Sequence, residues 1–431
     1  MNNTIEYVIL KIIVIIAIIY TAILVYYIMS KNKSGGADKT SGHTQKPQTI
    51  QIVKSLSKTE KLDKLEIKLP YTDEYQQILE SSIDNNLNAY KIDKNSFLKM
   101  NEYLNSNIRY KRRCLPIYIK DGKITYTVPN PKATIWKRDG VDNRVFTFIR
   151  MIKDLDKWCN DNDLILPECE FVIYVADTYA WEEIAKDLPW FIIAKPINRP
   201  GILIPDNSFI THGDSGDIGL ECVKKDTKWM WDRLIEKSDK LPDKDKIDTL
   251  YFKGVNTGTF KFSTREYLSK YKWDIPVTIT LDNKHESMFN WNKYSGLLNL
   301  PGHQPWSYRL KYLYLLKSPV VNVDVLLRYD KSEKSNDSLD RWIQFFDPIF
   351  IPNKDYIQIS QVYYDYPKLP DFNELKKESY DKIVDDIKKS YTILSDKYED
   401  NAYKKISKLS SSRILQFLYA TIVKYSIKSN K

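Results

Sequence analysis

The chain has 431 residues, 42% of them hydrophobic and 13% aromatic, which is ample for a packed core and excludes a disordered chain. Its net charge of +10 is spread over lysines interleaved with acids, as in Asp243-Lys244-Asp245-Lys246, and no basic stripe carries regularly placed aromatics. Nucleic acid is therefore not an expected partner. With only four histidines, one of them (His43) in a polar linker, a metal site built from several His ligands is not expected. Cys114, Cys159, Cys169 and Cys222 form no CxxC pair, so a zinc ribbon or redox motif is not expected; disulfides and buried thiols both remain open.

Ile12 to Met29 is an almost unbroken apolar run, extended toward the N-terminus by Tyr7 to Leu10 across Lys11. About 20 apolar residues match the hydrocarbon thickness of a bilayer, and no short h-region with a small-residue cleavage site is evident. Residues 7–29 are therefore predicted to be a transmembrane anchor, and the polar stretch 30–54 a flexible linker.

Residues 55–110 read as mainly helical, with apolar spacing of three and four around Tyr75, Ile78, Leu79 and Ile83. Strand-like runs follow at Pro116–Ile119, Lys123–Val128 and Phe171–Val175. Thr249 to Gly254 reads as a strand entering a glycine turn, and Ser263 to Lys272 as a helix capped by Ser263 or Thr264. Tyr308–Leu316 is predicted helical, with buried strands at Val320–Leu326 and Tyr356–Ile359. Amphipathic helices fill Glu374–Ile427, with Ile383, Ile387, Tyr391 and Leu394 on one face. Strands alternating with helices imply an α/β fold with parallel sheets.

Several groups are placed for chemistry. Asp177 directly follows the apolar run FVIYVA, at the C-terminal end of a predicted strand, where open α/β sheets bind ligands. A carboxylate there can take a proton from an acceptor hydroxyl, although pattern alone favours a strand-ending turn aspartate. The segment LYFKGVNTGTFKFSTREYL (250–268) places a glycine loop before a helix bearing Arg265, an arrangement suited to a diphosphate. Arg309 lies near the start of the helix after Gly302 and Ser307, where a bidentate clamp on phosphate would sit. Asp161-Asn162-Asp163 is either a carboxylate pair for a divalent ion or an Asx-rich turn. Asp214-Ser215-Gly216 has the letters of a serine-nucleophile loop, but the α/β pattern does not fit that fold.

Five blocks in fixed order carry a resemblance: LPECEFVIYVADTY (166–179), PGILIPDNSFI (200–210), YFKGVNTGTFKFSTREYL (251–268), KYSGLLNLPGHQPWSYRLKYLYLLKSPVV (293–321) and RWIQFFDPIFIPNKDYIQI (341–359). Together they resemble glycosyltransferase family 90, which includes capsule-associated xylosyltransferases and protein O-glucosyltransferases. The resemblance implies a GT-B fold, two Rossmann-like lobes facing a cleft, here preceded by one transmembrane helix. It divides the body into an N-terminal acceptor-side lobe with a helical lead-in (55–240), a nucleotide-sugar-binding lobe (241–370) and C-terminal helices (371–431).

The implied reaction is inverting transfer from a UDP-sugar to a hydroxyl of a glycan or protein, with no metal or other cofactor. Asp177 matches the general base. Arg265 and Arg309 match the arginines that hold the diphosphate, and Lys253, Gly254, Thr257, Gly302 and Ser307 match the loops lining the donor site. Lys253 stands where the family has Arg, and Gln344 where it often has an acid. A body in the lumen of the secretory pathway is implied, whereas Lys31 and Lys33 after the span favour a cytoplasmic one. Two rival readings remain: a metal-dependent transferase using Asp161 and Asp163, and a membrane-tethered glycan-binding or scaffold protein that keeps the fold without catalysis.

Overall fold

A computed structural model describes residues 69–107, 113–127, 141–176, 188–211, 228–242, 245–256, 264–282, 284, 286–302, 306–328, 339–365, 377–397 and 401–430. These fall within one compact unit, Leu56–Lys431. The predicted anchor at 7–29 and linker at 30–54 lie outside the described residues, and among those described no helix is long and apolar enough to cross a membrane.

The lead-in is helical, with α1 (Glu74–Asn88) and α2 (Ser96–Ser106). Asp73 caps α1 by accepting from the Gln76 N–H at 3.0 Å, and the helix buries Leu79, Ile83 and Leu87 at the expected spacing. The next strands are β1 (Cys114–Lys120) and β2 (Lys123–Tyr126), joined by a turn in which Asp121 and Gly122 take positive φ. The long helix α3 (Val141–Asp161) leads to β3 (Cys169–Tyr174). Short strands β4 (Trp190–Ile192), β5 (Lys195–Pro196) and β6 (Ile202–Leu203) precede helices α4 (Ser208–Thr211) and α5 (Met230–Asp239). Four of these strands and β2 form a sheet in the order β2-β1-β3-β4-β6, with β3, β4 and β6 mutually parallel.

The second sheet begins at β7 (Ile247–Gly254) and runs through α6 (Thr264–Lys270), β8 (Val277–Leu281), β9 (Tyr294–Asn299), α7 (Arg309–Tyr314), β10 (Val320–Arg328), β11 (Leu339–Ile343) and β12 (Ile357–Asp365). Its parallel strands lie in the order β8-β7-β9-β10-β12. β11 pairs antiparallel with β10 and with β5, so the first half of the chain supplies an edge strand here. The chain goes outward from β7 to β8 and then returns to the other side of β7 to lay down β9. That reversal is the topological switch point of a doubly wound sheet, and ligands in such sheets bind outside the carboxyl ends at that point.

α8 (Lys377–Lys397) packs on β12, β9 and α6, and buries Ile383 and Ile387 as its periodicity predicts. α9 (Asn401–Ile406) meets α7. α10 (Ser411–Ser429) then carries the chain back to the first sheet, where Tyr425 sets its ring edge against Phe191 at 5.2 Å and Phe171 at 6.4 Å. Trp158 Nε1 donates to Ser412 Oγ at 2.8 Å and the Tyr419 hydroxyl to the Ile165 carbonyl at 3.2 Å, so this last helix is tied to α3 and the entry to β3.

The described cysteines Cys114, Cys159 and Cys169 are buried free thiols. Burial pushes the Cys159 thiol up to about 12 and raises the other two as well, so all three are held as unreactive thiols. Cys222 lies outside the described residues.

Candidate functional site

The site forms where β7 and β9 end. Leu250, Tyr251 and Phe252 are buried on β7, and the strand delivers Lys253 and Gly254 to its carboxyl end. Arg265, the second residue of α6, is 5% exposed. Its Nη1 donates to the Val255 carbonyl at 2.7 Å and its Nη2 to the Leu300 carbonyl at 3.1 Å. One guanidinium therefore bridges the chain just beyond β7 and just beyond β9, across the switch point.

Arg309 opens α7. Its N–H donates to Ser307 Oγ at 3.2 Å, so Ser307 shapes the turn that presents the arginine. Its guanidinium carbon lies 4.8 Å from the centre of the Phe252 ring and 5.5 Å from that of Trp291, and Arg265 sits over the same Phe252 ring at 5.1 Å. Gly254 makes this approach feasible, because a Cβ there would fall 3.0 Å from Arg309 Nη2 and 3.1 Å from Nη1. The Nη1 of Arg309 is buried with no hydrogen-bond partner, and no carboxylate of the described residues pairs with Arg309. Burial lowers Arg265 to about 9, with Arg309 beside it adding to the effect, and burial lowers Arg309 to about 10. Both stay cationic at neutral pH, two like charges held together at the carboxyl edge of the sheet.

Lys253 points elsewhere. Its Nζ lies 3.3 Å from Glu286 Oε2 and 3.6 Å from Asp282 Oδ1, and Glu286 also accepts from the Tyr251 hydroxyl at 3.0 Å. The Lys253 charge is thus engaged by two carboxylates near the end of β8, one strand over from the arginines. Gly302 follows β9 and is half-buried. Asp177 and Thr257 lie outside the described residues, as do Asp214, Ser215 and Gly216; the description of β3 and its exit ends at Ala176.

Asp161 and Asp163 form the stop signal of α3. Asp161 pairs with Lys157 one turn back at 2.5 Å, Asn162 Nδ2 donates to the Trp158 carbonyl at 2.7 Å, and Asp163 takes a positive φ of 56°. Both carboxylates are exposed, and among the described residues no group of three or more His, Cys, Asp or Glu could hold a metal ion.

Two features of the site are not signalled by local sequence. The first is a buried ion pair between Lys311 of α7 and Asp206, beyond β6, at 2.9 Å, with 0% and 1% of the side chains exposed. Lys311 also donates to Ser208 Oγ at 2.6 Å, and the Tyr312 hydroxyl to the Ser208 carbonyl at 2.8 Å. The helix that starts with Arg309 is thereby fastened to the exit of the first sheet. The second is a polar ladder across β9, β10 and β12: Asn299 Nδ2 donates to Asn322 Oδ1 at 2.7 Å, Asn322 Nδ2 to Asp324 Oδ1 at 2.6 Å, and Gln358 Nε2 to Asp324 Oδ2 at 2.6 Å.

No protein-family model matches the chain, and no curated protein matches it.

Proposed function

We propose that this chain is a glycosyltransferase that moves a sugar from a UDP-sugar to a hydroxyl of a glycan or protein with inversion. The observation that carries the reading is the pair Arg265 and Arg309, gathered on Phe252 at the switch point of a parallel sheet. Burying two neighbouring guanidinium groups is costly unless an anion offsets the charge, and Arg309 has no carboxylate partner among the described residues. A diphosphate meets that need with bidentate geometry. The ordered sequence blocks that resemble glycosyltransferase family 90 support the same reading.

In the proposed reaction the acceptor oxygen attacks the anomeric carbon as the bond from that carbon to the UDP oxygen breaks. The acceptor proton passes to Asp177, and UDP leaves with the bonding electrons. Negative charge grows on the diphosphate in the transition state, where Arg265 and Arg309 stabilise it most. Under this reading the two sheets are the cores of two GT-B lobes, the first carrying Asp177 and the second the donor site. The apolar run 7–29 would anchor this body at a membrane where glycans are built, with the body on the lumenal side.

A thermal-shift panel of nucleotide sugars against the full chain tests the donor class, since a specific ligand raises the melting temperature by mass action. UDP-sugars are expected to stabilise the protein. On a competent acceptor, Asp177→Asn is expected to abolish transfer while leaving UDP binding intact; equal activity of variant and parent removes Asp177 from the mechanism.

A further inference from the structure

Asn299 is the last residue of β9 and is 4% exposed. The carbonyl of the next residue, Leu300, is the one that accepts from Arg265 Nη2 at 3.1 Å, so Asn299 adjoins the arginine pair along the chain. Asn322 stands opposite it in register on β10, Asp324 follows two residues on, and Gln358 faces Asn322 from β12. The four side chains therefore share one face of the second sheet. Burial first, and then neighbouring groups that include Asp324, raise the Tyr314 hydroxyl, which puts α7, the helix that Arg309 opens, beside that face.

The direction of this amide ladder is fixed at its Asp324 end. Both carboxylate oxygens receive amide N–H groups, Oδ1 from Asn322 Nδ2 at 2.6 Å and Oδ2 from Gln358 Nε2 at 2.6 Å, as an ionised carboxylate requires. Asn322 must then turn its oxygen toward β9, where it accepts from Asn299 Nδ2 at 2.7 Å. Asn299 is left to present its own oxygen at the far end of the ladder. That Oδ1 is buried and has no hydrogen-bond partner. Leaving a buried amide oxygen unpaired is costly, and a ligand that supplies a donor relieves the cost.

The orphaned acceptor complements a different part of a ligand from the arginines. The diphosphate of a nucleotide sugar carries oxygens without protons at neutral pH and can only accept, so it suits Arg265 and Arg309 and not Asn299 Oδ1. The sugar attached to that diphosphate carries hydroxyl donors. We propose that Asn299 binds the transferred sugar, its Oδ1 accepting from a sugar hydroxyl, with Asp324 as a positioning residue that fixes the direction of the Asn299 amide through Asn322. The inference rests on the diphosphate reading of Arg265 and Arg309, and it concerns the sugar rather than the nucleotide.

The test is calorimetric titration of the full chain with UDP, UDP-glucose, UDP-galactose and UDP-xylose at pH 8, above the value of about 7 to which burial pushes Asp324. Donors on ribose and uracil are common to all four ligands, so only the sugar separates them. A neutral hydrogen bond corresponds to about two- to tenfold in affinity. Asn299→Leu should weaken the UDP-sugar that the parent binds most tightly by that factor and leave UDP unchanged. Asp324→Asn frees the ladder to reverse while keeping Asn299, and it keeps the test open if the leucine variant fails to fold. It should weaken the same UDP-sugar and again spare UDP. Equal weakening of UDP and the UDP-sugar would mean that Asn299 supports the fold or meets the nucleotide, and would overturn the proposal. So would variants that bind every ligand at parent affinity while Arg309→Ala still weakens UDP, an outcome that spares the diphosphate reading. A parent chain that binds none of the four overturns both.

Discussion

Arg265 and Arg309 share one aromatic ring, with their guanidinium carbons 5.1 and 4.8 Å from the centre of Phe252. The ring provides a flat, polarisable floor on which two like charges can sit, and the β7–β9 reversal places both at the carboxyl edge of the sheet. An arrangement that raises the energy of the empty site is one that binding of an anion relieves.

Gly254→Ala would put a methyl group 3.0 Å from Arg309 Nη2 and 3.1 Å from Phe252 Cζ. The guanidinium must give way by a few tenths of an ångström, and overpacking of this kind costs about 1–3 kcal/mol. UDP affinity should fall several-fold alongside that loss of stability, measured by calorimetry and by the urea midpoint. An unchanged affinity would show that Arg309 does not need this position to bind.

Asp206→Ala would leave the Lys311 ammonium buried without its carboxylate. Removing one partner of a buried pair costs about 3–5 kcal/mol, whereas replacing both with apolar residues of similar volume is often near neutral. Asp206→Leu combined with Lys311→Met should therefore recover most of the stability that Asp206→Ala loses in urea unfolding. Because Lys311 lies on the helix that begins with Arg309, Asp206→Ala should also weaken UDP binding.

Stability should fall as pH rises from about 4 to about 7, the window in which two buried acids titrate differently in the folded and unfolded chain. Burial pushes Asp324 up to about 7 and Asp347 up to about 6 from an ordinary 3.8, with the charge of Arg341 opposing both shifts. Across that window the folded state keeps protons that the unfolded chain gives up, so rising pH favours unfolding. Asp73 is shifted the other way, to about 2 by Arg413, and its contribution is lost only below this window. Asp324→Asn should flatten the decline, as read from urea midpoints at pH 5 and pH 8.

The strands and helices that frame the site were largely legible. β7 carries the apolar stretch Leu250–Phe252, β10 and β12 alternate apolar residues with polar ones, and α8 shows its buried face as Ile383 and Ile387 one turn apart. β9 was not legible, because its centre is Gly296, a residue that weakens a strand signal. The structure gives the reason for that glycine: a Cβ would fall 2.5 Å from Leu250 Cδ2 and 2.7 Å from Leu394 Cδ1. β8 was not legible because it is an edge strand with threonines at alternate positions, half-buried except at the exposed Thr278.

The site itself was legible only in pieces. Local pattern put Arg265 and Arg309 each at a helix start after a glycine loop, but no local rule says that residues so far apart share Phe252. Pattern left Asp161 and Asp163 open between a metal pair and a turn; in the structure Asp161 pairs with Lys157 and the Asp163 N–H donates to the Asn160 carbonyl, contacts of a helix-ending turn. The partners of Lys253 depend on the parallel register of β7 and β8, which brings the end of β8 beside the end of β7.

The central claim is that Arg265 and Arg309 hold a nucleoside diphosphate, and titration of UDP into the parent chain and into Arg309→Ala tests it most directly. Charge-assisted hydrogen bonds contribute about 1.5–3 kcal/mol, so the account predicts a specific UDP site that loses roughly ten- to hundredfold in affinity in the variant. The same variant without ligand should be no less stable than the parent, because a buried charge without a carboxylate partner has been removed. Equal affinity in the two proteins, or no binding of UDP by the parent, would contradict the account.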